Sequence, residues 1–324
     1  HSCGHSSQCV LMSAAFLALK QSITKGTITL FFTPAEEYLD IEYRNQLLAE
    51  GKIRAFGGKQ EMLLNHEFDG IDCFIHAHGM GEAKELYSIH SQLAGFNFQK
   101  YTFLGQTAHA AVMPDQAKNA LNMFSLFNSA VAYLRETFID EDKNRFHGHL
   151  LPSNHSINSI PDKIEYEAYV RSFNSNKLKS LSEQFALTAQ HCAAALGGKC
   201  EVKTTLGYLP LKPSIELGEL FNEEILKVCP SQLIRYHERS IAAGDIGDLS
   251  QFYPGIQLGY SGFKGRMHGE DLEISDPHFI YCEVSSIIVQ VVERLILEEK
   301  WFESIENNFD KKLDFETYKL RFGE

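Results

Sequence analysis

The sequence predicts an α/β protein: a main domain with a mostly parallel sheet and flanking helices, interrupted by an inserted domain of the ferredoxin-like βαββαβ pattern. Three observations predict it. Two short apolar runs rich in β-branched and aromatic residues, at 27–32 and 71–77, are separated by helical material, as in parallel α/β units. From about residue 95 the pattern changes to alternating strands interleaved with two long helices. After Pro213 the first rhythm returns.

Taken in order, residues 7–20 carry apolar residues at helical spacing behind Ser6 and Ser7, a pair of cap candidates. Residues 27–32 (TITLFF) read as a buried strand ending at Thr33-Pro34-Ala35-Glu36-Glu37. Residues 58–65 form a short helix, and 71–77 (IDCFIHA) a second buried strand ending at His78. In the middle, 96–104 alternates like a half-exposed strand, 116–135 is helical, 156–160 and 163–171 are strands around Pro161-Asp162, 176–196 is helical and 199–206 is a strand. That is the split βαββαβ order. Residues 214–228 are helical, 255–260 a strand and 277–299 a long helix, with a charged tail from 301 to 324. The expected division is 1–94 and 210–300 for the main domain, 95–209 for the insertion and 301–324 for the tail.

The chain has 324 residues, a length that fits about two domains. With 44% hydrophobic and 22% charged residues it can bury a sizeable core. Thirty basic against 42 acidic side chains give a net charge of −12, and no basic run is present, so a phosphate backbone is not an expected partner. Seven widely spaced cysteines in a chain of this size fit reduced thiols in a cytoplasm better than a secreted disulfide scaffold. No apolar run reaches the length of a membrane span and no signal peptide is visible, so no membrane association is expected. The chain opens on His1 rather than Met, and we read it as truncated at that end.

Five stretches hold side chains that could carry chemistry. Cys3-Gly4-His5 places a thiol and an imidazole two residues apart, both ligands for zinc or manganese, although most such triplets bind nothing. Glu36-Glu37 repel each other unless a cation intervenes; most such pairs are solvated turns, but this one follows an apolar run at an expected sheet edge. His76 and His78 end the second apolar run, and each alone reads as a core or loop histidine. His268, in Met267-His268-Gly269-Glu270-Asp271, alone reads as a surface residue. His109 sits among small residues in Gly105-Gln106-Thr107-Ala108-His109-Ala110-Ala111, otherwise a loop before a helix start near Pro114. Together they amount to one thiolate, several imidazoles and two carboxylates, enough to hold two metal ions and leave one carboxylate as a base.

In this combination the sequence resembles the M20 metallopeptidase family. Within it, the closer likeness is to the amidohydrolase branch of N-acyl-amino-acid, auxin-conjugate and aminobenzoyl-glutamate hydrolases. The stretches HSCGH, FTPAEE, IDCFIHAH, FLGQTAHAAVMP, INSIPDKIEYEAYVRS, AAGDIGDLS and RMHGEDLEI follow the family order and span the chain to about residue 300. The resemblance implies two divalent metal ions, Mn2+ or Zn2+, with Cys3, His5, Glu37, His78 and His268 as ligands. Counting six residues from Asp72 selects His78 rather than His76. It implies Glu36 as the general base acting on a water between the metals, and His109 as the oxyanion-steadying residue that reaches a partner subunit's site. Asn158 and Arg171 match substrate contacts. The implied activity is metal-dependent cleavage of a small-molecule amide, such as an N-acyl amino acid or small dipeptide, by a cytoplasmic homodimer whose inserted domain serves as lid and dimerisation domain.

The chain also departs from the family pattern. Ser6 stands where the family has Asp, Tyr38-Leu39-Asp40-Ile41-Glu42 replaces a Gly-rich stretch, and the family's first strands and Asp-rich upstream motif are missing. These departures raise an alternative, a catalytically impaired member acting as a ligand-binding or partner subunit. The intact ligand and base residues favour the enzyme.

Overall fold

The computed structural model describes residues 3–153, 155–311 and 313–323; His1 and Ser2, which open the HSCGH stretch, lie outside the described residues. Contacts divide the chain into two compact units. The first holds the chain up to Leu93, Leu211–Ser240 and everything from Gly244 onward. The second holds Ala94–Pro210 and Ile241–Ala243. The return of Ile241–Ala243 to the second unit is absent from the sequence reading, which leaves those residues in the main domain. Ala94 N–H donates to Ala242 O at 3.0 Å and fixes that return.

In chain order the elements before the second unit are α1 (His5–Ser22), α2 (Ile41–Ala49), α3 (Gly58–Leu64), β1 (Phe74–Gly79), β2 (Tyr87–Ile89) and β3 (Gln92–Leu93). The second unit contributes β4 (Gly95–Leu104), α4 (Ala120–Leu134), β5 (Arg145–Leu150), β6 (Lys163–Ser172), α5 (Ser175–Ala195) and β7 (Lys199–Leu206). The chain then forms α6 (Ile215–Ile225), β8 (Ile234–Tyr236), β9 (Arg239–Ser240), α7 (Ile246–Leu249), β10 (Gly255–Tyr260), β11 (Phe263–Lys264), β12 (Glu273–Ile274), α8 (Ser285–Leu297), α9 (Glu299–Asn308) and α10 (Phe315–Leu320).

The first unit is built on a sheet of order β1-β10-β2-β8. β10 (GIQLGY) is buried along its whole length; β1 pairs with all of it and β2 with its last two residues. The sheet is mixed rather than uniformly parallel: β1 and β10 run parallel, as do β2 and β8, but β10 meets β2 antiparallel. α1 turns one stripe, Ser7, Leu11, Ala15 and Leu19, toward a core shared with Ile287, Ile288 and Val291 of α8. Gly4 caps α1 in the left-handed region (φ 79°), where a side chain would also press on the Phe263 ring. The long helix expected at 277–299 forms, with a π-helical turn at Phe279–Val284 ahead of α8.

Two expectations fail in this unit. Residues 27–32 are not a strand: they form no regular structure and are half-exposed. A β-rich segment becomes a strand only when another strand takes its backbone hydrogen bonds, and among the described residues none lies beside it. The Glu36–Glu37 pair therefore sits in a turn, with Ala35 at φ 58°, and not at a strand end. The charged tail is also not a tail: Ile305 of α9 and Tyr318 of α10 are buried.

In the second unit an antiparallel sheet of order β5-β6-β4-β7 carries α4 and α5. Alternate residues of β6, from Ile164 to Val170, and Tyr101 and Phe103 of β4 pack against Met123, Phe127, Leu178 and Phe185 of those helices. Here the strand expected at 156–160 is instead a turn, tied to 107–110 by an isolated bridge between His109 and Ser159 and the backbone hydrogen bonds around it. The strand before β6 is β5, RFHGHL, which buries only Phe146 and so lacks the alternation that reveals a half-buried strand.

Candidate metal centre

The first unit brings six of the sequence-selected side chains together. Cys3, buried in the turn before α1, lies 3.5 Å through its Sγ from His78 Nε2. His78 ends β1, and its Nδ1 donates to the Gly79 carbonyl at 2.8 Å, which turns the Nε2 lone pair toward the sulfur. His5 opens α1 with Nε2 3.7 Å from Glu36 Oε2 and its ring edge-on to His78. Glu36 and Glu37 are presented by the turn after Pro34. That turn is held by the Arg44 guanidinium, which donates to the carbonyls of Ala35, Glu37 and Phe56. His268 comes from an exposed loop at φ 61°.

The donor atoms of these residues form three overlapping trios: Cys3, His5 and His78; Cys3, Glu37 and His268; and His5, Glu36 and Glu37. Within each trio all donor atoms lie within 4.8 Å of one another. Ligands bound at about 2.0–2.3 Å to one ion can stand no more than about 4.6 Å apart, so each trio is close to the span one cation imposes. Shared members make the trios one cluster rather than three. The mixture of sulfur, imidazole nitrogen and carboxylate oxygen suits zinc and its neighbours.

Electrostatics point the same way. Burial, with Glu37 and Glu36 beside it, pushes the Cys3 thiol up to about 12. Burial, with Asp245 and Glu37 beside it, lifts the Glu36 carboxyl to about 8. Burial lowers His78 to about 4 and lowers His5 as well, keeping both rings neutral and able to donate a lone pair. The cluster is thus short of positive charge, which divalent cations would supply while converting thiol and carboxyl to their ligand forms.

His76 is placed differently. Its Nε2 meets the Gln8 side-chain amide at 2.6 Å and its Nδ1 meets Gln257 Oε1 at 3.2 Å, so both ring nitrogens are spent. Two neighbours escaped the sequence reading. Lys59, at the start of α3, donates from Nζ to Asp245 Oδ1 at 2.6 Å and from its backbone N–H to Oδ2 at 2.9 Å, and both residues are buried. The available signal is a lysine in the first turn of a helix, where the dipole disfavours a cation unless a partner holds it.

The remaining candidates belong to the second unit. The exposed His109 accepts at Nδ1 from the N–H groups of Ala111 and Val112, both at 3.3 Å, which leaves a proton on Nε2. Asn158 lies beside it, its carbonyl accepting from Ala110 N–H at 2.9 Å. Arg171 stands on β6 between the rings of Phe96 and Tyr169, donating to Ile241 O at 2.9 Å and to His147 Nε2 at 3.3 Å.

Comparison with known proteins fits this geometry. The chain superimposes on the YxeP protein of Bacillus subtilis, a dinuclear metal-binding peptidase from the M20 family, with a TM-score of 0.66. The two are 16% identical, over 92% of this chain and 73% of that one. The chain has the M20 peptidase fold. A candidate aminohydrolase from methicillin-resistant Staphylococcus aureus matches with a TM-score of 0.74 at 18% identity, over 90% of this chain and 73% of that one. The aminobenzoyl-glutamate utilization protein of Klebsiella pneumoniae matches at 0.61 and 17% identity, over 89% and 66%. In sequence, the N-acetyl-L-cysteine deacetylase of Bacillus subtilis is 26% identical over 221 residues, 65% of this chain and 48% of that protein. The chain thus spans about half the length of that curated relative, whose name agrees with the amidohydrolase branch of the M20 family. No family model matches the chain. Among the described residues no helix is long and apolar enough to cross a membrane.

Proposed function

We propose that this protein hydrolyses the amide bond of a small N-acyl amino acid, dipeptide or related conjugate, with two divalent ions, Mn2+ or Zn2+, held by Cys3, His5, Glu37, His78 and His268. The observation that carries the reading is the convergence of three overlapping donor trios, drawn from far apart in the chain, on one cluster. When bound there, such ions would supply Lewis acidity for the amide carbonyl and for water. Glu36 takes the proton of the attacking water and returns it to the departing amine. His109, with its Nε2 proton directed away from its own loop, donates to the oxyanion. Asn158 and the Arg171 guanidinium hold the substrate's polar ends.

The second unit serves, in this reading, as a ferredoxin-like insertion that acts as lid and dimerisation domain. β5 and β7 are the outer strands of its sheet, and pairing of one of them with a second copy across a two-fold axis would satisfy an open edge and let His109 act in the partner's site. None of the seven cysteines forms a disulfide, which supports a reducing compartment, the cytoplasm.

The experiment is a panel of N-acetyl amino acids, with N-acetyl-L-cysteine and aminobenzoyl-glutamate included because relatives' names carry them, incubated with Mn2+ or Zn2+ and the purified protein. Turnover by the wild type, absent in Glu36→Gln, supports the reading. It fails if the metal-loaded wild type does no better than Glu36→Gln on every member.

A further inference from the structure

α10 buries one side chain completely, Tyr318. Its ring packs on Phe252 and Phe322, with centroids 5.1 and 5.3 Å away. Its hydroxyl donates to Asp248 Oδ1 at 3.0 Å. The same oxygen accepts from Gln60 Nε2 at 3.2 Å, while Gln60 Oε1 accepts the N–H of Gly57 at 3.1 Å and so caps α3. Asp245 and Asp248, three residues apart and both fully buried, therefore grip Lys59 and Gln60, adjacent residues in the first turn of α3. α3 bears directly on the glutamate turn: a Cβ on Gly58 would stand 1.8 Å from the Pro34 carbonyl oxygen. The chain leading into α7 also reaches the pair, since a Cβ on Gly244 would stand 3.3 Å from Glu36 Oε1.

We propose that Tyr318 is a positioning residue for Glu36 and Glu37: by donating to Asp248 it locks α7 onto α3, and these two helices together hold the turn that presents the glutamates. The inference rests on the hydrolase reading only for its kinetic consequence. The physical argument is that a buried carboxylate keeps its donors close, so Asp248 stays where Tyr318 and Gln60 can both reach it. Because Lys59 and Gln60 are neighbours, a shift of α7 at Asp248 is also felt at Asp245, and through Gly58 at Pro34. The contact chain is continuous and made of groups with little room to adjust. The segment that delivers Tyr318 lies past residue 300, beyond the motifs that carry the family likeness.

Tyr318→Phe removes the hydroxyl and keeps the ring. Hydrogen exchange on the whole protein should show amides of residues 33–38 and 57–62 exchanging about 10-fold faster, with α5 of the second unit unchanged as an internal control. On any amide the protein turns over, kcat should fall about 10-fold while KM stays within about twofold, since base placement is lost and substrate contacts are not. Unchanged exchange at 33–38 overturns the proposal. So does a uniform rise across the first unit accompanied by a lower melting temperature and an unaltered kcat per folded molecule, because that pattern marks Tyr318 as a packing residue. If no amide is turned over by any form, the hydrolase reading fails by itself, and the exchange at 33–38 still decides the role of Tyr318.

Discussion

Glu36 and the histidines around it make the stability of the metal-free protein depend on pH from both sides. The Glu36 carboxyl sits at about 8 against an ordinary 4.5, so between those values the folded state binds the extra proton and stability falls as pH rises. His78, lowered to about 4 from 6.5, acts in the opposite sense: the unfolded state takes the proton first, and stability falls as pH drops below 6.5. Between 4.5 and 6.5 the two effects offset each other, so urea unfolding of chelator-treated protein should show a plateau there and a loss of stability from about pH 6.5 to 8. In Glu36→Gln the fall above pH 6.5 should flatten and the histidine limb below 6.5 should emerge; a wild type and variant that lose stability in parallel from about pH 6.5 to 8.5 would show that Glu36 does not titrate as described. Residues also show what the sequence could reveal about the site. Cys3, His5, Glu36, Glu37, His78 and His268 are each unremarkable locally, and only their joint likeness to a family order singles them out. Lys59 and Asp245 stayed hidden because the one local hint, a lysine in the first turn of a helix, does not name a partner 186 positions away.

At the scale of single elements, the opening of α1 depends on a backbone only glycine adopts easily. Gly4→Ala places a side chain at φ 79° and against the Phe263 ring, and should cost about 1–2 kcal/mol. Because Cys3 and His5 flank the strained position, zinc affinity measured by competition with a chelator should fall alongside the melting temperature. Full retention of both would mean that the turn relaxes without cost. Elements were legible to the degree that burial is periodic. α1 and α5 carry one apolar stripe each, and β6 alternates strictly, so their positions follow from spacing. Residues 27–32 have strand chemistry but no neighbour to pair with among the described residues, and pairing is not a property of a segment. β5 fails for the converse reason: it is paired with β6, yet exposure on most of its positions erases the signal. In α9 and α10 the numerous charges mask Ile305 and Tyr318, the residues that are buried there.

For the whole molecule the sharpest question is whether His109 serves its own chain or another. Glu36→Gln and His109→Ala should each be inactive alone. If His109 crosses a two-fold axis, mixing the two variants with subunit exchange restores about a quarter of wild-type turnover, since half the dimers then contain one complete site out of two. If it serves its own chain, no mixture recovers activity, and a fully active monomer removes the dimer from the mechanism. The α/β class was legible from the alternation of strand-like and helical segments, whereas the mixed direction of the first sheet was not, because β2 and β8 are three-residue strands too short to announce themselves. The division of the first unit into separated stretches of chain also sets the order of its birth. On the ribosome, almost all of the second unit emerges as one uninterrupted stretch and is free to fold, while β1 waits for β10 and the thiol of Cys3 waits for His268. The acidic pair and the thiol thus wait for their last imidazole until the stretch around His268 has been made, after the whole of Ala94–Pro210, and on the proposed reading a cation would find its full ligand set only from that point on.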